Sequence, residues 1–175
     1  MTQQIPYEVL KKIEEIEIRR YPEVLFAVVQ NDNNDSGFSL LFRYISGENK
    51  TRRKIPMTAP VITSEKIPMT APVVTGKNYM AFALPSSYNN ETVPMPINPA
   101  VKIEIQKEKT MAVLQFGGRT NETKVQKKIQ KLITILKINK IQMKDEPVLM
   151  RYNSPFTPGF LRRNEVAVEI NDINK

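Results

Sequence analysis

Residues 15–29 read EIEIRRYPEVLFAVV, and residues 102–116 read KIEIQKEKTMAVLQF. Each stretch opens by alternating charged and apolar residues, the period of a half-buried strand. Each then breaks at a polar or proline-bearing turn and resumes as a more continuous apolar run, a second and more buried strand. The continuations are also alike. After the first stretch, Phe38, Leu41, Phe42 and Ile45 fall at i, i+3, i+4 and i+7, one face of a helix. Ser36 reads as its N-cap and Gly47 is placed to end it. After the second, Gly117 and Gly118 end the strand and a helix starts near Thr120 or Asn121. Val125, Ile129, Leu132, Ile133 and Leu136 line one face of that helix. Residues 79–84 read as a further strand of the first stretch's unit, and 147–152 and 166–170 as strands of the second.

Two copies of a ββαββ unit are therefore expected, over about residues 7–84 and 100–171. Neither copy alone can bury both a helix face and a sheet face. The expected fold is α+β, one domain over residues 1–175. It is a distorted antiparallel β-barrel of about eight strands with two α-helices and pseudo-twofold symmetry. The stretch PSSYNNETVPMPINP, residues 85–99, has four prolines and no periodicity, so it reads as a linker.

Between the first helix and its next strand the chain repeats itself. KIPMTAPV stands at 54–61 and again at 66–73. Four prolines between residues 56 and 72 exclude a helix. They predict an extended edge strand that loops back, or two short edge pieces around residues 63–66. Met57 and Met69 can close the core or face a planar ligand across an irregular cavity.

Composition narrows the chemistry. The 175 residues include no cysteine and no histidine. Disulfides, thiolate metal sites, a histidine-bearing catalytic triad and a histidine-ligated heme are excluded. No Gly-rich phosphate loop, metal cluster or nucleophile motif is visible, so the residues favour binding over catalysis and name no catalytic or metal-binding residue. The N-terminal residues carry frequent charges and no apolar core of a signal peptide, so a cytoplasmic protein is expected. Net charge is +8, which fits an anionic ligand as well as plain solubility. Lys124, Lys127, Lys128 and Lys131 form a basic stripe on the second helix. No nucleic-acid recognition pattern accompanies it, and no stable membrane insertion is expected.

The KIPMTAPV repeat, VPMPINP at 93–99, FGG at 116–118, RYNSPFTP at 151–158 and RRNEV at 162–166 resemble, in order, the SOUL or heme-binding protein family. The resemblance covers about residues 7–170. It implies a distorted eight-stranded barrel built from two related halves, similar to bacterial multidrug-sensing domains. It also implies binding of heme or other tetrapyrroles. Some members are thought to use an axial histidine after an EIR strand; here Arg20 stands at that place. Others hold porphyrin in an apolar cleft with basic side chains on the propionates, and this chain resembles those.

The expected function is non-enzymatic binding of heme, another tetrapyrrole or another hydrophobic small molecule, anions included, by a monomer that requires no cofactor. The alternatives are an effector-binding or protein-interaction domain without heme affinity, or a small hydrolase on the same barrel. Phe38, Leu41, Phe42, Ile45, Met57 and Met69 are expected to line or adjoin one cleft. Arg53, Lys54 and Lys66 are expected at its rim, an arrangement suited to an amphiphilic anion. Glu165 is expected to pair with Arg162 or Arg163, and Phe156 and Phe160 to pin their loop to the domain or form a lid.

Overall fold

A computed structural model describes residues 3–30, 34–51, 64–154 and 156–173. The strands are β1 (Gln3–Gln4), β2 (Glu8–Ile13), β3 (Ile16–Tyr21), β4 (Val24–Gln30), β5 (Asn49–Lys50), β6 (Thr70–Thr75), β7 (Tyr79–Ala83), β8 (Met95–Pro96), β9 (Val101–Gln106), β10 (Lys109–Gly117), β11 (Val148–Arg151) and β12 (Arg163–Glu169). The helices are α1 (Asn34–Ile45) and α2 (Glu122–Ile138). The large sheet runs β2-β3-β10-β12-β11-β6-β7-β4-β9, with β1 alongside β6; β5 and β8 pair separately. Every pairing along this path is antiparallel; β1 joins β6 in parallel.

The order is a palindrome under the duplication. The first strand of each unit pairs with the second strand of the other: β3 with β10, and β9 with β4. The correspondence holds residue by residue. Arg19 opposes Met111 as Gln106 opposes Val24. Val113 opposes Ala167 as Phe26 opposes Ala83, and Met150 opposes Glu165 as Val74 opposes Ala81. Each half thus lends a strand to its partner, which explains why neither copy closes a core by itself.

Alternation along the strands sorts apolar residues into three cores. Phe26 and Val28 of β4 join Met111 and Val113 of β10 in an inner core fed by both halves. Ala27 and Val29, on the opposite face, lie under α1. Ala112 and Leu114 lie under α2. The sheet therefore curls so that its inner face meets itself. Its hydrogen-bonded path ends on β2 and β9, and packing rather than a closing strand pair completes the curl.

Three local expectations differ from the structure, and one beside them holds. The first helix starts at Asn34, so Ser36 sits in its first turn instead of capping it. In α2 the cap is as expected: the Asn121 side chain accepts from the Lys124 N–H at 2.8 Å. β6, which carries the TAPV end of the second KIPMTAPV, lies between β7 and β11 and is not an edge. Its register shifts between Thr70 and Val73, a bulge that accommodates Pro72, which has no N–H to give the ladder. Residues 85–99 are not only a linker, since β8 lies within them.

Candidate functional site

The residues expected to build one cleft separate into three groups. Leu41 and Ile45 are buried in the core between α1 and the sheet, and Phe38 packs on that core and on Phe82, ring centroids 5.3 Å apart. They pack on β4, β7 and β9. Phe42 faces outward, 50% exposed, stacked on Phe38 at 6.1 Å. Met69 is 37% exposed and Lys66 is exposed. Arg53, Lys54 and Met57, with the first copy of the repeat, lie outside the described residues.

The outward group is held together by a residue that sequence reasoning missed. Asn49, buried just past the end of α1, donates to the carbonyls of Tyr44 and Glu65, both at 2.8 Å. Its own side-chain oxygen accepts from the Glu65 N–H at 3.0 Å. The Ile67 N–H then donates to the Ile45 carbonyl at 2.8 Å, and Ile67 is buried under α1. Residues 64–69 are in this way laced to the end of α1, within one turn of Phe42.

Inside the curl, the two ends of the pseudo-twofold axis differ. One pole is filled by charge. The Arg19 guanidinium donates to both Glu165 carboxylate oxygens at 3.0 Å, to Tyr21 Oη at 3.2 Å and to Glu17 at 2.9 Å. Glu165 also accepts from Tyr152 Oη at 2.7 Å and from Arg163 at 2.7 Å. Arg19 and Glu165 are fully buried. Arg19 lies 4.1 Å from the Tyr7 ring centroid, and Arg163 lies 4.2 Å from that of Tyr152. Burial pushes the Arg19 pKa down, but Glu165 and Tyr21 more than offset it. The Tyr152 phenol is pushed up by burial, with Tyr21 and Glu165 adding to the rise. Of the two expected partners of Glu165, Arg163 is found, whereas Arg162 Nε donates to the Thr157 carbonyl instead. The decisive partner, Arg19, stands 146 positions away.

The other pole is open. By the register of the strands, Gln106 stands where the first pole has Arg19, Ala81 where it has Glu165, Gly76 where it has Tyr152 and Tyr79 where it has Arg163. Even the closing backbone bonds correspond: Tyr152 N–H to Arg163 carbonyl at 3.3 Å, Gly76 N–H to Tyr79 carbonyl at 3.0 Å. The smaller set leaves a cavity of about 310 Å³, floored by Phe26, Val28, Val74 and Ala81 and rimmed by Gln30, Tyr79, Glu104 and Gln106. A smaller space of about 40 Å³ shares Phe26, Val74, Tyr79 and Gln106 and reaches Lys109, Asp145, Glu146 and Glu169. Burial, then Asp145 and Glu104, push the Tyr79 phenol up. Burial pushes Lys109 down.

A third concavity, about 500 Å³, lies between β1, the start of β4 and residues 84–91. Ile5, Val24, Leu25, Leu84 and Tyr88 line it, with Glu23 and Glu91 among its polar residues and no lysine or arginine among the described ones. Elsewhere, Arg20 faces outward and pairs with Glu8 at 3.3 Å. The basic stripe on α2 is partly engaged: Lys124 Nζ donates to the Gly117 carbonyl at 2.7 Å, and Lys131 pairs with Glu15. Phe156 and Phe160 are 95% and 85% exposed, so they do not pin their loop. Among the described residues no cluster of acidic side chains could hold a metal ion, and no helix is long and apolar enough to cross a membrane.

Some known proteins are similar to this chain in fold and others in sequence. The crystal structure of the EcmrR C-terminal domain superposes with a TM-score of 0.59 at 10% identity, over 95% of this chain and 99% of that one. The crystal structure of a hydrolase from Listeria innocua gives 0.53 at 9% identity, over 93% and 94%. At such identities the likeness is one of fold alone. Human heme-binding protein 2 is 32% identical over 158 residues, 86% of this chain and 75% of the human protein. The sequence pattern of the SOUL heme-binding proteins matches residues 2–169. The chain belongs to the SOUL heme-binding protein family.

Proposed function

We propose that this protein binds heme or a related tetrapyrrole as a carrier or sensor and not as an enzyme, holding it against the outer flank of α1. The observation that carries the reading is the family match over nearly the whole chain. The flank supplies a suitable surface. Phe42 offers an exposed ring backed by Phe38, and residues 64–69, which carry the exposed Lys66 and Met69, are tied to the end of the same helix. Arg53, Lys54 and Met57 complete the set by sequence. Leu41 and Ile45 support it from below. Apolar faces with cations at the rim suit a planar dicarboxylate. With no histidine or cysteine in the chain, any iron ligand from the protein would be weak or oxyanionic.

Two rivals are less well supported. The 500 Å³ cleft has room for a large ligand, but Glu23 and Glu91 would repel carboxylates. A hydrolase would need an available general base. Glu165 is fully buried and already accepts from Arg19, Tyr152 and Arg163, the arrangement of a brace.

The test is an absorbance titration of untagged protein with hemin. Saturable binding without a bis-histidine, low-spin spectrum is expected. Arg53→Ala with Lys54→Ala should weaken a dicarboxylate porphyrin by about 1–3 kcal/mol and leave a porphyrin without carboxylates nearly unchanged. Equal losses for both ligands would put the site elsewhere. No saturable binding of either would remove tetrapyrrole binding altogether.

A further inference from the structure

We propose that the open pole of the curled sheet is a second ligand site, built for a small organic cation with an apolar body and distinct from the tetrapyrrole flank. The cavity's 310 Å³ lies at the lower end of ligand-site volumes. Its floor of Phe26, Val28, Val74 and Ala81 is apolar, and its walls come from both halves of the duplication.

The rim supplies recognition. At the filled pole every polar side chain bonds to another member of the network. At the open pole Gln30, Tyr79, Glu104 and Gln106 make no side-chain hydrogen bond or ion pair with any described residue, although Tyr79 is half-buried. Polar groups ringed around an apolar hollow, without partners of their own, are placed to bond something that enters it.

Charge sets the class of ligand. The chain carries a net +8, yet this mouth collects carboxylates. Glu104 sits on the rim; Asp145, Glu146 and Glu169 line the adjoining space. Asp145 accepts the Glu146 N–H at 2.7 Å, Glu146 lies 3.6 Å from Lys77, and Glu169 lies 2.8 Å from Lys144. Glu104 pairs with no cation among the described residues. Lys109 is the one described cation lining either space, and it stands in the adjoining space among Asp145, Glu146 and Glu169, not on the rim beside Glu104. An anion would meet Glu104 without compensation. A cation would meet it favourably, with the Phe26 and Tyr79 rings available to its apolar and charged faces.

The probe is benzyltrimethylammonium, followed by the methyl resonances of Val28, Val74 and Ala81, with benzoate as the anionic counterpart of similar size. Saturable shifts at those methyls with the cation, and none with benzoate, are expected. Ala81→Leu should fill the cavity and abolish the shifts at Val28 and Val74. Glu104→Lys, at an exposed position that packs no core, should weaken binding by about tenfold or more. Phe42→Ser, on the tetrapyrrole flank, should leave it unchanged. Equal binding of benzoate, an unaffected Glu104→Lys variant, shifts confined to other parts of the molecule, or no shift up to millimolar probe would each overturn the proposal.

Discussion

The two poles of the inner face share one strand pairing and differ in the side chains it carries. Arg19, Tyr152, Arg163 and Glu165 interlock at one; Gln106, Gly76, Tyr79 and Ala81 stand at the equivalent places of the other. The strand pairing that fixes these positions is the same at both ends. What differs is whether the hollow between the halves is filled. A symmetric duplication has to close its interior only once. A fully satisfied charge network at one end leaves the other free to remain open above a floor that stays buried. The difference also predicts where stability and where recognition reside.

The largest effect is expected at the filled pole. Glu165→Ala leaves the Arg19 guanidinium buried with only Glu17 and Tyr21 as partners, and should lower unfolding free energy by about 3–5 kcal/mol in urea titrations. Arg19→Met combined with Glu165→Leu should cost less than either single removal, because neither fully buried charge is then left without its partner, and Arg163, which loses Glu165, is partly exposed. Single variants costing under about 1 kcal/mol would make the network ornamental and break the contrast between the poles. The same pole sets an acid limit. Burial tends to raise the Glu17 carboxyl, but hydrogen bonds from Arg19 and Lys12 hold it below its ordinary 4.5. A depressed carboxyl stabilises fully above its unfolded value, and that contribution is lost as pH falls through the lower folded value. Stability should therefore decline below about pH 4.5, and Glu17→Gln should flatten that decline.

A smaller loss is expected at the open pole. A β-carbon built on Gly76 falls 2.1 Å from Tyr79 Cε1, so Gly76→Ala must swing the Tyr79 ring. The cost should be about 1–3 kcal/mol, and probe binding at that pole should change with it. Tyr152, at the equivalent place, already carries a full side chain, so the restriction to glycine belongs to the open pole alone. Retained stability with an unmoved Tyr79 resonance would show the ring to be held less closely than its contact with Gly76 implies.

Each feature is legible in the sequence to the extent that it depends on its own residues. β3, β4, β9, β10 and α2 declare themselves through local periodicity, because each buries a face along its own length. β2 has only two half-buried positions, Leu10 and Ile13, among exposed ones; it exists through its pairing with β3, which no local pattern records. β6 reads as an edge because its prolines argue against a ladder, and the bulge that admits Pro72 is a property of its neighbours. The apolar face of α1 is legible as a face, but spacing cannot tell a face that packs on a sheet from one that lines a cleft. Leu41 and Ile45 turn to the sheet, and Phe42, on the same stripe, does not. The Arg19–Glu165 pair is out of reach: the alternation around Arg19 predicts which face it takes, but not what stands opposite.

The smallest effect should come from residues that touch neither pole. Phe156 and Phe160 read in sequence as pins for the loop between β11 and β12, yet at 95% and 85% exposure they bury almost nothing. The loop is held by other means. Arg162 Nε donates to the Thr157 carbonyl at 2.7 Å, and the Arg162 carbonyl accepts the Gly118 N–H at 3.2 Å. The Asn153 side chain accepts the Arg163 N–H at 2.7 Å. These bonds bind the loop to the rim of the filled pole through backbone and polar groups. Replacing both phenylalanines with serine should then shift unfolding free energy by no more than about 0.5 kcal/mol, the ordinary range for surface positions. A loss beyond about 2 kcal/mol would mean that the rings do pack in solution, over the end of β10 or the first turn of α2. The filled pole would then be braced by an apolar lid as well as by Arg19 and Glu165, and Arg162→Ala, which spares both rings, would separate the two contributions.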